Sequence, residues 1–375
     1  EVSALIAGGG IAGSSLFRYM AEAGMNPILV NADRGSSWRN IGGGRTAFSL
    51  PELAEIAAQN HHIFKELQYL SNIDYKPIRY ISFAHDEETY KALEASKAWS
   101  KAEMIAPKQF REEISPYFNA NPKKYISALV SEDCWQATPG KVVDLVRNLG
   151  IAAGGTVMED CRVLEACREG KYTSVLVQTH DKKYVEYRTE HFVNALGSGA
   201  GKLCDSMGID AGLYPVRHQA FITRRLPMLG KHGTNLDMLI DRQDYKGFSA
   251  VYGQQIAYTG QIIGCASPKL DAMRIDKNLK VNTKAFLEIV SEMFSEWIPD
   301  LAGVGIQAVW AGYYTEPRYI VDPELGLFVG MRGHGFMLSQ YIARMYVDKL
   351  LGRPVPEYFE KLKLNGPGLS EKAFK

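Results

Sequence analysis

Several of the usual signposts are missing from this chain of 375 residues. An excess of one charge is lacking. Forty-three Lys and Arg stand against 42 Asp and Glu, so neither a nucleic-acid backbone nor an anionic membrane surface is an expected partner. Cysteine is scarce: Cys134, Cys161, Cys167, Cys204 and Cys265 are odd in number and never form a CxxC pair. That argues against a zinc site or a disulfide framework and fits a reducing compartment. No apolar run reaches the roughly 18–20 residues that would cross a bilayer. A glycine-rich fingerprint begins within the first ten residues, which leaves no room for a signal peptide ahead of it in the sequence. A cytoplasmic protein is the expectation. Internal repeats and low-complexity stretches are also absent.

What remains is a globular composition, 46% hydrophobic and 23% charged, on a chain long for one core, so two domains are expected. Val2–Ala7 is a nearly continuous apolar run ending in glycines, as in a buried parallel strand. A helical pattern follows from Ile11 to about Ala23 with Gly24 placed to cap it, and Pro27–Val30 reads as a second buried strand. Helices are predicted over 51–70, 138–155 and about 282–297, with a closing helix over Phe336–Leu351. Strand patterns fill 157–194 and 213–265, and a further buried-type strand reads over 325–330. Because strand-rich and nucleotide-type segments alternate, the domains are expected to interleave. The predicted division places 1–75, 138–212 and 306–360 in a Rossmann-type α/β unit, and 76–137 and 213–305 in an antiparallel-sheet unit.

Gly8, Gly10 and Gly13 form GxGxxG between a strand and a helix. The first glycine allows a tight turn, the second lets a pyrophosphate approach, and the third lets helix and strand pack closely. Ile11 and Ala12 open a helix whose free N–H groups favour an anion. The position that usually grips the adenosine ribose with a carboxylate is Asn31, while Asp33 lies two residues on. Asn31 is the favoured ribose ligand and Asp33 the alternative. At 40–48, NIGGGRTAF sets three glycines before Arg45; Gly43, Gly44, Arg45 and Thr46 suit a flat ring or a phosphate.

Four further stretches point one way: FVNALGSGAG (192–201, with Ala195 and Gly197), YPVRHQAF (214–221), VWAGYYTEPRYIVDP (309–323) and GMRGHGFMLSQYIARMYVDKL (330–350). Together with the fingerprint they resemble, in order and over nearly the whole chain, the FAD-dependent D-amino-acid oxidase superfamily. Its glycine oxidase, sarcosine oxidase and D-arginine dehydrogenase branches are nearest. The resemblance implies a two-domain flavoprotein with FAD extended across the nucleotide unit. Gly333, His334, Gly335, Phe336 and Met337 would then lie by the pyrimidine side of the isoalloxazine, where N–H groups and a helix dipole stabilise charge on reduction. Gly312 matches the position of the flavin-linked cysteine of some sarcosine oxidases, so the FAD is expected to be non-covalent.

The implied reaction is hydride removal from the carbon beside a nitrogen of a small amino acid or carboxylated secondary amine. Flavin N5 receives the hydride, and the electrons pass to O2, giving hydrogen peroxide, or to another acceptor. Arg217 is the first candidate carboxylate anchor, with Arg332 and Arg318 as substitutes and His218 expected on the opposite face from Arg217. Tyr314 stands where the resemblance has an arginine, and Met337 where sarcosine oxidase has a lysine. Tyr252, Tyr313 and Tyr314 are pocket candidates. Residues 247–268 hold no lysine of the kind sarcosine oxidase uses on oxygen. Two other readings stay open: a flavin monooxygenase or protein-modifying flavoenzyme driven by NAD(P)H, and a non-catalytic FAD-binding subunit. An oligomer is compatible with all three.

Overall fold

The computed structural model describes residues 1–119, 121, 123–227, 229, 236–245, 248–256, 259–268, 279 and 283–371. Two sheets organise them. The first runs, in spatial order, Ile320–Asp322, Leu327–Val329, Tyr184–Asn194, Val2–Ala7, Ile28–Asn31, Thr156–Glu159. Val2–Ala7 is central and pairs in parallel with both neighbours, Ala7 lying opposite Val30 and Asn194. Leu5, Ile6 and Ala7 are fully buried, as a continuous apolar strand covered on both faces should be.

Helix Ile11–Glu22 lies on one face beside helices Pro139–Ala152 and Gly335–Leu350. Phe17 is buried against Gly150, where an added Cβ would fall 2.5 Å from its ring, so the glycine-rich exit of the 139–152 helix is a packing device. Gly24 takes φ +79° after the first helix, the left-handed turn a side chain would strain. On the other face an antiparallel meander (Arg162–Glu169, Tyr172–Gln178, Tyr184–Asn194) buries Val163, Val175, Val177 and Phe192 against Leu5 and Val30.

The second sheet runs Ile306–Glu316, Tyr214–Thr223, Ile262–Pro268, Phe248–Gln255, Met238–Tyr245, Lys76–Ala84, Ser127–Gln136, Gly43–Gly44. It is antiparallel except where Met238–Tyr245 joins Lys76–Ala84 in parallel. Helix Thr283–Trp297 covers its outer face, with Ile289, Met293 and Trp297 packed against Phe221 and Val251. Within the strand patterns predicted over 213–265, residues 228, 230–235, 246–247 and 257–258 lie outside the described residues, and the last strand formed there is Ile262–Pro268.

The sheet pairing departs from the predicted division at two places. Ile306–Glu316 was assigned by sequence to the nucleotide unit, yet it pairs along its length with Tyr214–Thr223, from Ile306 opposite Thr223 to Glu316 opposite Tyr214. It closes the edge of the second sheet. Gly43–Gly44 likewise belongs to that sheet, opposite Gln136 and Trp135. No helix among the described residues is long and apolar enough to cross a membrane.

Candidate functional site

At the carboxyl end of Val2–Ala7 the chain turns through Gly8, at φ +107°, where a Cβ would sit 2.6 Å from the Ala195 carbonyl oxygen. Ala195 in turn donates its N–H to Ala7 O at 2.9 Å. Gly13 packs on the same turn so tightly that a Cβ would lie 1.8 Å from Gly8 O. Gly10 precedes Ile11 and Ala12 in the first helical turn, and the Ile11 N–H donates to Ser37 Oγ at 2.8 Å. Gly197, at φ +58°, turns the chain beside this loop after Asn194, whose side chain donates to Ala200 O at 3.0 Å.

Asn31 ends its strand buried over Gly9 and donates through Nδ2 to Glu159 Oε2 at 2.6 Å, from the neighbouring strand. Arg147 also bonds Glu159 and reaches Gly9 O at 2.8 Å. Asp33, the alternative, is exposed in the following loop. Sequence reasoning did not single out Glu159, because the acidic residue lies one strand away in space and 128 positions away in sequence.

A cavity of about 470 Å³ opens between the two sheets. Of the sequence-predicted residues, Gly43, Arg45, Gly312, Gly333, His334, Phe336, Met337, Tyr252, Tyr313, Tyr314 and Arg332 line it. Backbone there is close: a Cβ on Gly43 would meet the Tyr80 hydroxyl at 2.2 Å, and one on Gly333 the Tyr314 ring at 2.4 Å. Gly44 does not line the cavity but lies flat on the buried Trp135, where a Cβ would sit 2.2 Å from the indole. Thr46 is buried and turned to Glu132 O at 3.4 Å. Gly335 opens the final helix.

Arg45 is buried, donates to Ala47 O and to His334 Nε2 (3.3 Å), and lies 3.9 Å over the Phe48 ring. A guanidinium only donates, so His334 accepts at Nε2 and carries its proton on Nδ1, 2.5 Å from the Tyr319 hydroxyl. Across the cavity Tyr252 and Tyr314 share a 2.8 Å hydroxyl bond, and His218 stacks on Tyr314 at 3.6 Å. Burial drives His218 down to about 3, so it is neutral at physiological pH. The same burial holds both tyrosines protonated, well above the ordinary phenol range.

The expected anchors are redistributed. In strand Tyr214–Thr223, Val216, His218 and Ala220 line the cavity and Arg217 does not, because alternate residues face opposite ways. Arg318 is turned away and donates to Gly366 O at 3.0 Å and to Leu364 O. Arg332 lines the cavity but gives its Nε to Glu316 at 2.7 Å. Sequence reasoning missed two lining arginines, Arg39 in the loop over 36–40 and, on the second sheet, Arg242. The latter lies where the pairing of Met238–Tyr245 with Phe248–Gln255 slips between Asp241 and Asp244, opposite Ala250 at φ +60°, an irregularity that re-aims side chains. Burial, with Arg45 nearby, pushes Arg242 down to about 9, and Glu371 acts against that shift; the cation persists at neutral pH. The signal was present as alternation, since Met238, Ile240 and Arg242 all line the cavity from one face.

Loop 36–40 fastens the nucleotide unit to this wall. Ser36 Oγ donates to Tyr313 O at 2.8 Å, and the Trp310 indole donates to Arg39 O at 2.8 Å. A Rossmann-type sheet with a glycine loop, joined to a second sheet across one cavity, defines the two-domain FAD-binding class. The family model described as FAD dependent oxidoreductase (DAO) matches residues 3–349, and the chain belongs to that family. It is therefore an FAD-dependent oxidoreductase. Among solved structures it is similar to an L-proline dehydrogenase from P. horikoshii (22% identity, 97% of each chain covered, TM-score 0.81). It is similar also to a glycine oxidase from Bacillus cereus (19%, 96% of this chain and 98% of that one, 0.76). An iminodiacetate oxidase from Chelativorans sp. aligns as well (14%, 98% and 100%, 0.76). No curated protein sequence matches the chain.

Proposed function

We propose that the chain holds FAD non-covalently, extended from the Gly8–Gly13 loop to the cavity, and oxidises the carbon–nitrogen bond of a small amino acid or carboxylated secondary amine. The observation that carries this reading is the charge of the cavity wall. Arg39, Arg45, Arg242 and Arg332 line it against one lining carboxylate, Glu316, which is already bonded to Arg332. A small anion suits such a wall, and Arg242 is the arginine on the substrate sheet placed to hold it bidentately.

Fit of the cofactor rests on the close packing at Gly8 and Gly13, which brings the start of helix Ile11–Glu22 to the end of strand Val2–Ala7 as an anion site, and on the cavity that Gly43 and Gly333 line. Bound FAD supplies a hydride acceptor at N5. The chain's own part is positioning. Arg242 fixes the carboxylate, while neutral His218 and the Tyr252–Tyr314 hydroxyl pair receive the amine end and close the wall against water. The N–H groups at the start of the final helix would face the pyrimidine side, with His334 and Arg45, bonded to each other, behind them. The imine left on the substrate is hydrolysed to an oxo acid or aldehyde and an amine.

Anaerobic titration with glycine, sarcosine, iminodiacetate and D- and L-amino acids tests the reading. Bleaching of the visible flavin band by at least one of them is expected, and peroxide release on readmitting air identifies O2 as an acceptor. Bleaching by NADPH alone would replace this reading with a monooxygenase.

At the other end of the cofactor, Glu159 would turn Asn31 so that its Oδ1 faces a ribose hydroxyl. Glu159→Gln is expected to weaken FAD binding to the apoprotein about tenfold, the scale of one charge-assisted hydrogen bond. Fluorescence quenching of FAD during titration measures it, and an unchanged dissociation constant would remove Glu159 from the ribose site.

A further inference from the structure

The family match ends at residue 349, and the chain beyond that point returns to the site. Leu364 donates its N–H to Asp322 Oδ2 at 3.3 Å, and Arg318 clamps the carbonyls of Leu364 and Gly366. Beyond this clamp Leu369 is buried in the same core as Phe48. Glu371 then lies fully buried, both carboxylate oxygens accepting the Ser49 N–H at 3.0 and 3.2 Å. Ser49 ends the short stretch that begins with Arg45, whose guanidinium bonds Ala47 O within it. Glu371 therefore grips the loop that carries the deepest arginine of the cavity. Its charge also acts directly on Arg45 and Arg242. A carboxylate stripped of water is costly unless cations and donors compensate it, so core packing alone does not account for glutamate here.

We propose that Glu371 is a positioning residue for the cavity: it fixes the 45–49 loop, and with it Arg45, and sets one buried negative charge behind that loop. Arg318, a sequence candidate for binding substrate, serves the same end by fastening the segment that delivers Glu371. The proposal rests on the reading that the flavin ring occupies this cavity.

The test compares holoenzymes by equilibrating bound flavin with a reference redox dye. Reduced flavin carries negative charge near its pyrimidine side, so removing one buried anion favours reduction. Glu371→Gln is expected to shift the dye equilibrium about tenfold toward reduced flavin, while Glu371→Asp stays within about threefold of wild type. A carboxylate that only packs would lower the thermal midpoint and leave the equilibrium in place, and that result overturns the proposal. If Glu371→Gln does not retain FAD, Arg318→Met carries the test. Loosening the segment is expected to move the equilibrium in the same direction, although loss of a cation by itself pushes the opposite way. A wild-type or more oxidised equilibrium in that variant overturns the proposal. Arg242→Met, a change in the cavity wall, separates the two claims. If it too leaves the equilibrium unmoved, the ring is not in this cavity. If it shifts the equilibrium and Glu371→Gln does not, only the role of Glu371 fails.

Discussion

Gly13→Ala is expected to give a protein that purifies without colour and binds added FAD at least a hundredfold more weakly than wild type. A Cβ at position 13 would lie 1.8 Å from Gly8 O, with the Ala195 Cβ at 3.4 Å beyond it. Neither neighbour is the tip of a flexible side chain. The helix has to move off the strand, but Phe17 is packed against Gly150 and Gly155 on its far side, so movement there strains the core as well. Overpacking of this kind costs about 1–3 kcal/mol of stability, and each ångström of displacement takes the helix N-terminus from the pyrophosphate it would face. Gly10→Ala is the control. Within the protein its Cβ meets only Ser37, at 3.0 Å from Oγ, so the thermal midpoint is expected to hold while the added methyl crowds the pyrophosphate and colour is lost without overpacking. Absorbance near the flavin maximum relative to protein, with calorimetric titration of the apoprotein, reads both variants. A yellow Gly13→Ala protein of ordinary affinity would mean that the phosphate loop is not where the cofactor is held.

Arg242→Met is expected to lower kcat/KM for a carboxylated amine by roughly 10²–10³, most of it in KM, with FAD content unchanged. Methionine keeps the bulk and the apolar stem and deletes only the charged fork. The partner left behind is then a carboxylate facing protonated tyrosines and a neutral His218, while Arg45 and Arg332 of the same wall are already bonded to His334 and Glu316. Arg217→Met provides the contrast: Arg217 sits on the strand face turned from the cavity, and its loss is expected to leave KM within about threefold. Steady-state kinetics on whichever substrate bleaches the flavin fastest decides between them. Loss of KM in the Arg217 variant and not in the Arg242 variant would return the anchor to strand Tyr214–Thr223.

The difference between these two arginines shows what was legible in the sequence. The phosphate loop was readable because Gly8, Gly10 and Gly13 answer to local geometry, and strand Val2–Ala7 and helix Ile11–Glu22 follow from local pattern. The closing helix was readable for the same reason, whereas the role expected of the GHGF turn came only from the family resemblance. The anchor was not readable. Whether Arg217 or His218 faces the cavity is settled by the pleat and by which face meets the other unit, and a one-residue change of register reverses it. Arg242 shares its face with Met238 and Ile240 by alternation, but which face of that strand meets the cavity is set by pairing with distant strands. Glu159 and Glu371 are farther from sequence reasoning still, since each acts on a residue more than a hundred positions away.

The order of strands has a consequence for anyone dividing this protein. Strands of the first sheet come from 2–31, 156–194 and 320–329, and those of the second from 43–44, 76–136, 214–268 and 306–316. No single cut yields one fragment with a whole sheet and nothing of the other. Neither half can therefore be expressed, swapped or evolved as a module by simple fusion at one junction. Exchange of substrate preference between relatives of this architecture is confined to grafts within individual strands and loops.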